Sequence, residues 1–274
     1  MIRKTRQLSD LNLRVSWLEA GQGTPLVLVH GVGMNAEAWF PQLAALSRNF
    51  HVIAVDMPGH GESEGFHHAA TLQDYVGWLA SFLRTQKARR FAVAGHSMGA
   101  LIAAGLAIEH PELVSHAVVI SGVYKRSEQA SEAVIKRAHE LTQGKVRIDA
   151  PLDRWFSDDE HEQPLRHRVG AWLQQVDRQG YARAYQAFAE GDRTYADRWP
   201  EMRCPVLVMT GELDANSSPE MTHQMAEAAP NGVAVVVGNA RHMLNLTDAE
   251  RVNEEMLTFL CPAVVGNKLQ TVKE

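Results

Sequence analysis

The feature that most constrains this chain is an alternation of short, continuously apolar runs with amphipathic stretches, joined by turns carrying glycine or proline. Residues 25–29, 50–55, 91–94, 117–120, 204–209 and 233–237 form the apolar runs. Residues 36–46, 72–83, 98–109, 218–229 and 247–260 lie between or after them with helical spacing; Leu72, Tyr75, Val76, Leu79 and Leu83 share one helical face. Runs too apolar to show an exposed face belong to parallel sheets covered by helices on both sides. The fold class expected is therefore α/β, with right-handed crossovers between successive parallel strands. Ser218-Pro219 predicts a helix start, with proline at the first helical position, and Thr247-Asp248-Ala249-Glu250 predicts a capping box opening the last helix.

The alternation stops between about residues 123 and 203. That stretch is polar and helical in period, and it carries Trp155, Phe156, Trp172, Tyr181, Tyr185 and Phe188. Tyr181, Tyr185 and Phe188 fall at i, i+4 and i+7, a stripe that docks the block on the main domain and can also line a pocket. The division expected is a core of residues 1–122 and 204–262, a helical cap of residues 123–203, and a C-terminal tail of residues 263–274 without a packing pattern.

Composition excludes some function classes. A formal net charge of −5 leaves no basic excess to neutralise phosphates, so nucleic acid is not an expected partner. No apolar stretch reaches the roughly 18 residues of a membrane span, and no apolar segment follows the basic start, so neither a membrane anchor nor a signal peptide is expected. The 2 cysteines, Cys204 and Cys261, are too few for a disulfide framework and read as free thiols in a reducing compartment. A cytoplasmic protein acting on a small molecule is the expectation; oligomeric state is not legible.

Gly95-His96-Ser97-Met98-Gly99 sits between an apolar run and a helix rich in small residues. A serine on so tight a turn stands clear of both flanking elements. The glycines two before and two after it remove Cβ atoms that would otherwise collide. His96, inside this motif, reads as a packing or hydrogen-bonding residue. A serine hydroxyl is a weak nucleophile until a base takes its proton. Of the 13 histidines, His242 is the one in a loop directly after a late strand and before the last helix, where parallel sheets build active sites. His51, His67, His68, His139, His161 and His167 fall on polar helices or turns. The acid that orients the base should lie after the neighbouring strand, where Glu212 and Asp214 both qualify. His30-Gly31-Val32-Gly33 follows the first apolar run; backbone N–H groups of Val32 and Met98 are the expected oxyanion donors, with His30 and Gly31 as possible substrate contacts.

Together these landmarks resemble the α/β-hydrolase superfamily. The matching segments are the His30-Gly31 loop, Asp56-Met57-Pro58-Gly59-His60-Gly61-Glu62-Ser63, the Gly95–Gly99 pentapeptide, the Cys204-Pro205-Val206-Leu207-Val208 run leading to Asp214, and His242, in the family's order. The resemblance implies a mostly parallel eight-stranded sheet with a lid after the sixth strand and no cofactor. It also implies a Ser97–Asp214–His242 triad, which favours Asp214 over Glu212, and a structural role for the Asp56–Ser63 turn. One departure is Arg241, where relatives often carry glycine; it is expected to face solvent, or else to recognise a substrate carboxylate. The activity implied is hydrolysis of a small or medium ester, thioester or lactone through an acyl-enzyme. The alternatives are cleavage of C–C or amide and enamine bonds in a catabolic pathway, or cofactor-free perhydrolysis. Serine at the nucleophile position argues against dehalogenases and epoxide hydrolases, which use aspartate there. A non-catalytic binding protein is disfavoured because all triad positions are filled, and neither G-x-G-x-x-G after the first strand nor a P-loop supports a nucleotide-binding oxidoreductase.

Overall fold

The computed structural model describes residues 1–145 and 147–261. Two strands, β1 (Ile2–Leu8) and β2 (Leu13–Ala20), precede the first apolar run. Then follow β3 (Thr24–Val29), a 3₁₀ turn (Ala36–Trp39), α1 (Phe40–Leu46), β4 (Phe50–Val55), α2 (Leu72–Arg84), β5 (Phe91–His96), α3 (Met98–Glu109) and β6 (Val114–Ile120). Between β6 and the next strand, β7 (Val206–Gly211), come α4 (Glu128–Thr142), α5 (Asp149–Trp155), α6 (Gln163–Gln175), α7 (Arg178–Gly191) and a 3₁₀ turn (Ala196–Glu201). The chain closes with α8 (Pro219–Ala228), β8 (Gly232–Val237), α9 (Leu244–Thr247) and α10 (Ala249–Leu260).

The strands form one 8-stranded sheet in the order β1-β2-β4-β3-β5-β6-β7-β8. The pairs β1–β2 and β2–β4 are antiparallel and the remaining pairs parallel. The central apolar strands are buried on both faces, as their composition requires, with α2, α3 and α8 covering one side and α1 and α10 the other; the apolar run of β8, at the sheet edge, is mostly only partly buried. Every residue of α3 from Met98 to Ile108 is buried, which its alanines and glycines make possible. The registers Val29↔Gly95, Gly95↔Val119, Ile120↔Met209 and Gly211↔Val237 align the carboxyl ends of β3, β5, β6, β7 and β8, so the loops that follow them gather at one edge.

The sequence pattern did not reveal β1 and β2. β1 is an edge strand whose side chains are almost all at least partly exposed, with only Leu8 buried, so no apolar run marks it. The capping box expected at Thr247–Glu250 is a second correction. Thr247 ends α9, and its hydroxyl bonds the Met243 carbonyl at 3.3 Å and the Asp248 carboxylate at 2.6 Å. α10 therefore starts from Asp248 with no side-chain cap. Ser218 does cap α8, accepting from the Met221 N–H, with Pro219 at the first helical position.

The block between β6 and β7 contains helices and no strand among the described residues. Its own apolar cluster, including Leu152, Phe156, Val169, Leu173 and Tyr181, is continuous with Met34 and Met243 of the strand-end loops. Cys204 is buried and Cys261 half-buried, both as free thiols. Among the described residues no helix is long and apolar enough to cross a membrane. The tail expected at residues 263–274 lies outside the described residues.

Candidate active site

Ser97 occupies the turn between β5 and α3 with φ 55° and ψ −116°, a conformation that non-glycine residues rarely adopt. The strain is held by close packing. A Cβ on Gly95 would lie 1.9 Å from the Gly99 carbonyl oxygen, and one on Gly99 would lie 2.1 Å from the Val29 carbonyl oxygen. No side chain fits at either position, which is the physical content of the G-x-S-x-G spacing. The Ser97 N–H is anchored to the Ile120 carbonyl at 2.9 Å.

His242 follows β8 and is buried, and its Nδ1–H donates to Asp214 Oδ2 at 2.9 Å. This bond leaves Nε2 as the basic nitrogen of the neutral ring. Asp214 is buried too. Burial alone would raise its pKa, but the His242 imidazole and the Asn216 N–H stabilise the carboxylate and hold it below the usual range. Its Oδ1 accepts from Asn216 N at 2.8 Å and Ser217 N at 3.1 Å. Glu212, the competing acid, points elsewhere: its Oε2 accepts from the Asn239 N–H at 2.9 Å on the exposed side of the loop. The structure thus brings Asp214, not Glu212, to His242.

In the loop after β3, Met34 N bonds Gly31 O at 3.1 Å and Gly33 N donates to His60 Nε2 at 3.0 Å. Among the described residues the N–H groups of Val32 and of Met98 have no hydrogen-bond acceptor. His30, expected as a possible substrate contact, is used inside the fold instead: Nδ1–H donates to Gly31 O at 2.7 Å and Nε2 accepts from Met57 N at 2.9 Å. Both ring nitrogens are occupied and the ring is buried. Gly31 likewise serves packing, since a Cβ there would stand 3.2 Å from both His96 Nδ1 and Ser97 Cβ. Asp56 has the structural role expected, accepting from Arg3 at 2.6 Å, Ala36 N at 2.7 Å and Glu62 N at 3.2 Å.

Arg241 corrects the expectation of a solvent-facing side chain. It is half-buried, its Nε is buried with no hydrogen-bond partner among the described residues, and its guanidinium reaches the Asp153 carbonyl on α5 at 3.4 Å. Two residues on, the Trp155 indole lies over His242 with ring centroids 5.6 Å apart and planes tilted by 31°. From α7, Tyr181 covers the loop after β3, its Cε2 only 3.1 Å from where a Gly33 Cβ would be. Burial pushes the Tyr181 phenol up to about 12 and raises that of Tyr185, while Arg137 and Arg154 act on both in the opposite sense. The sequence picks out Trp155 as one of the aromatics of the helical block, but its place over His242 is a tertiary contact with no local signal. Among the described residues no cluster of histidine, cysteine and carboxylate side chains is suited to hold a metal.

The model of the alpha/beta hydrolase family matches residues 26–255. Over 260 residues, 95% of this chain and 98% of the relative, the sequence is 50% identical to an (E)-2-((N-methylformamido)methylene)succinate hydrolase of Acinetobacter baylyi. It is 30% identical over 246 residues to a carboxylesterase of Bacillus subtilis, covering 87% of this chain and 81% of that protein. In fold it is similar to a thermophilic esterase of Thermogutta terrifontis, with a TM-score of 0.86 at 23% identity over 95% of this chain and 98% of the other. With its sheet, its strained serine turn and its family match in agreement, the chain belongs to the alpha/beta hydrolase family and is a hydrolase.

Proposed function

We propose that this protein is a serine hydrolase in which Ser97 is the nucleophile, His242 the general base and Asp214 the residue that orients and stabilises the base. The observation that carries this reading is the buried 2.9 Å His242–Asp214 pair, formed at the same sheet edge as the strained Ser97 turn. Ser97 Oγ adds to the substrate carbonyl as its proton passes to His242 Nε2. The oxyanion so formed accepts from the N–H groups of Val32 and Met98. His242 then protonates the leaving group, giving an acyl-enzyme, and a water activated by the same nitrogen releases the acid and restores Ser97. Residues 123–203 act as the cap, and Trp155 and Tyr181 form part of its inner surface.

For substrate, the reading best supported is a small N-acylated enamine bearing carboxylates. The name of the 50% identical relative describes such a compound, a formamide nitrogen on a carbon that is double-bonded to C2 of succinate. Residue pattern and family resemblance put esters first and amide or enamine bonds among the alternatives; the 50% identical relative brings the enamine forward. Arg241, adjacent to His242 and with a buried Nε that has no hydrogen-bond partner among the described residues, supplies positive charge that can compensate a substrate carboxylate. Ester hydrolysis is the second reading, favoured by the carboxylesterase relative.

The test is turnover of (E)-2-((N-methylformamido)methylene)succinate beside short p-nitrophenyl esters, with fluorophosphonate labelling of the wild type and of Ser97→Ala. A kcat/KM for the enamide well above that for the esters, with all activity and labelling lost in the variant, is expected. Ester turnover without enamide turnover moves the assignment to the second reading. A folded wild type that neither labels nor turns over either class overturns the serine-hydrolase reading.

A further inference from the structure

His96, the residue before the nucleophile, is buried and makes one short polar contact: its Nε2 lies 2.8 Å from the backbone carbonyl oxygen of His242. Burial holds the ring neutral, with its pKa pushed down to about 3; the titratable groups acting on it are His242, Asp214 and His30. A neutral imidazole has one N–H, and at this distance from a carbonyl oxygen that hydrogen sits on Nε2. His96 and His242, with ring centroids 5.0 Å apart, therefore hold opposite tautomers, Nε2–H and Nδ1–H. The same carbonyl accepts from Ser121 Oγ at 3.2 Å. Ser121 is buried with φ 50°, its carbonyl accepts from Ser217 Oγ at 2.7 Å, and Ser217 N donates to Asp214 Oδ1. A closed ring of hydrogen bonds thus runs from the His242 side chain to Asp214, through Ser217 and Ser121, and back to the His242 backbone.

Resting on the assignment of His242 as base, we infer that His96 is a positioning residue that fixes the His242 backbone relative to Ser97 through its Nε2–H, with Ser121 as the second donor. The reason is geometric. His242 lies on a loop, and its ring can serve Ser97 only if the peptide carrying it is fixed. His96 is covalently adjacent to Ser97, so a bond from its ring to the His242 carbonyl ties nucleophile and base by a short path. Gly31 leaves room for the ring, as the 3.2 Å approach to Nδ1 shows. A side chain of the same volume without the donor would fill the space and lose the tie.

The test compares His96→Gln, whose amide keeps an N–H at similar reach, with His96→Met, similar in length but without a donor. For the best substrate of the wild type, His96→Met is expected to lower kcat about 10–100-fold with KM little changed, the scale of a misplaced reacting group. The acid limb of its kcat/KM profile should also move, because the His242–Asp214 pair is loosened. His96→Gln should recover most of the loss. Ser121→Ala is expected to shift the same limb by a smaller amount, and it decides the matter should His96→Met not fold. Equal impairment of the Gln and Met variants, wild-type kinetics in the Met variant, or an unmoved acid limb in Ser121→Ala would each overturn the inference while leaving the serine-hydrolase reading intact. A wild type without Ser97-dependent activity overturns both.

Discussion

Gly59 and Gly180 meet backbone to backbone, joining the loop after β4 to the first turn of α7. A Cβ on Gly180 would lie 2.3 Å from the Gly59 carbonyl oxygen and 2.6 Å from Gly59 Cα. Helix propensity alone predicts that Gly180→Ala stabilises, by about 1 kcal/mol. The contact predicts the reverse, since neither backbone can yield locally: a loss of about 1–3 kcal/mol, as for other overpacked sites. Urea denaturation decides the sign. Tyr181 is the next residue, so the variant should also raise KM.

Asp214→Asn should lower kcat by about 10⁴-fold, because an amide in place of the carboxylate favours the wrong tautomer of His242 and no longer stabilises the imidazolium. Glu212→Gln removes a charge whose visible contact is with the Asn239 N–H and should cost less than about 10-fold. Steady-state kinetics on the two variants separates the assignments. The reverse order would make Glu212 the acid.

Acid sensitivity follows from three histidines buried in neutral form. Burial lowers His30 to about 4, and His60 and His96 to about 3. Each folded-state value lies below the 6.5 of the unfolded chain, so the unfolded state binds more protons as pH falls. Stability contributed by the neutral rings is complete above about pH 6.5 and is lost on acidification toward the folded values, at up to about 1.4 kcal/mol per pH unit for each group. The depressed Asp214 acts in the same direction at lower pH. Urea midpoints should be flat from pH 7 to 8 and fall steeply between pH 6 and 5; a flat profile through pH 5 would contradict the buried neutral state of these rings.

The Trp155 face over His242 should matter most when the imidazole is charged. An imidazolium against an indole gains about 0.5–2 kcal/mol. Trp155→Ala is therefore expected to lower kcat/KM and move the acid limb of its pH profile to lower pH, because the free base protonates less readily. Trp155→Phe should lie between the two. A loss in Trp155→Ala confined to KM, with an unmoved limb, would mark the ring as a substrate wall only.

The parallel core strands, α3 and the glycine-flanked serine were legible in the sequence because each rests on local chemistry: apolar runs long enough to be strands, small residues at a buried helix, and glycines where a Cβ cannot stand. His242 could be singled out because a loop after a late parallel strand is a privileged position. The edge strand β1 was not, since it buries little, and the Thr247 box failed because a tertiary turn left that hydroxyl other partners. Family resemblance favoured Asp214 over Glu212, but local pattern left both open; which of the two, standing two residues apart in one loop, meets His242 is seen only in the tertiary structure. The tertiary structure also drew His30 and Gly31 into the scaffold, gave His96 its carbonyl, and turned Arg241 toward Asp153. Residue type and spacing set which groups can do the chemistry. Which of them meet depends on contacts between segments far apart in the chain, such as the 146 residues separating His96 from His242, and local pattern carries no record of these.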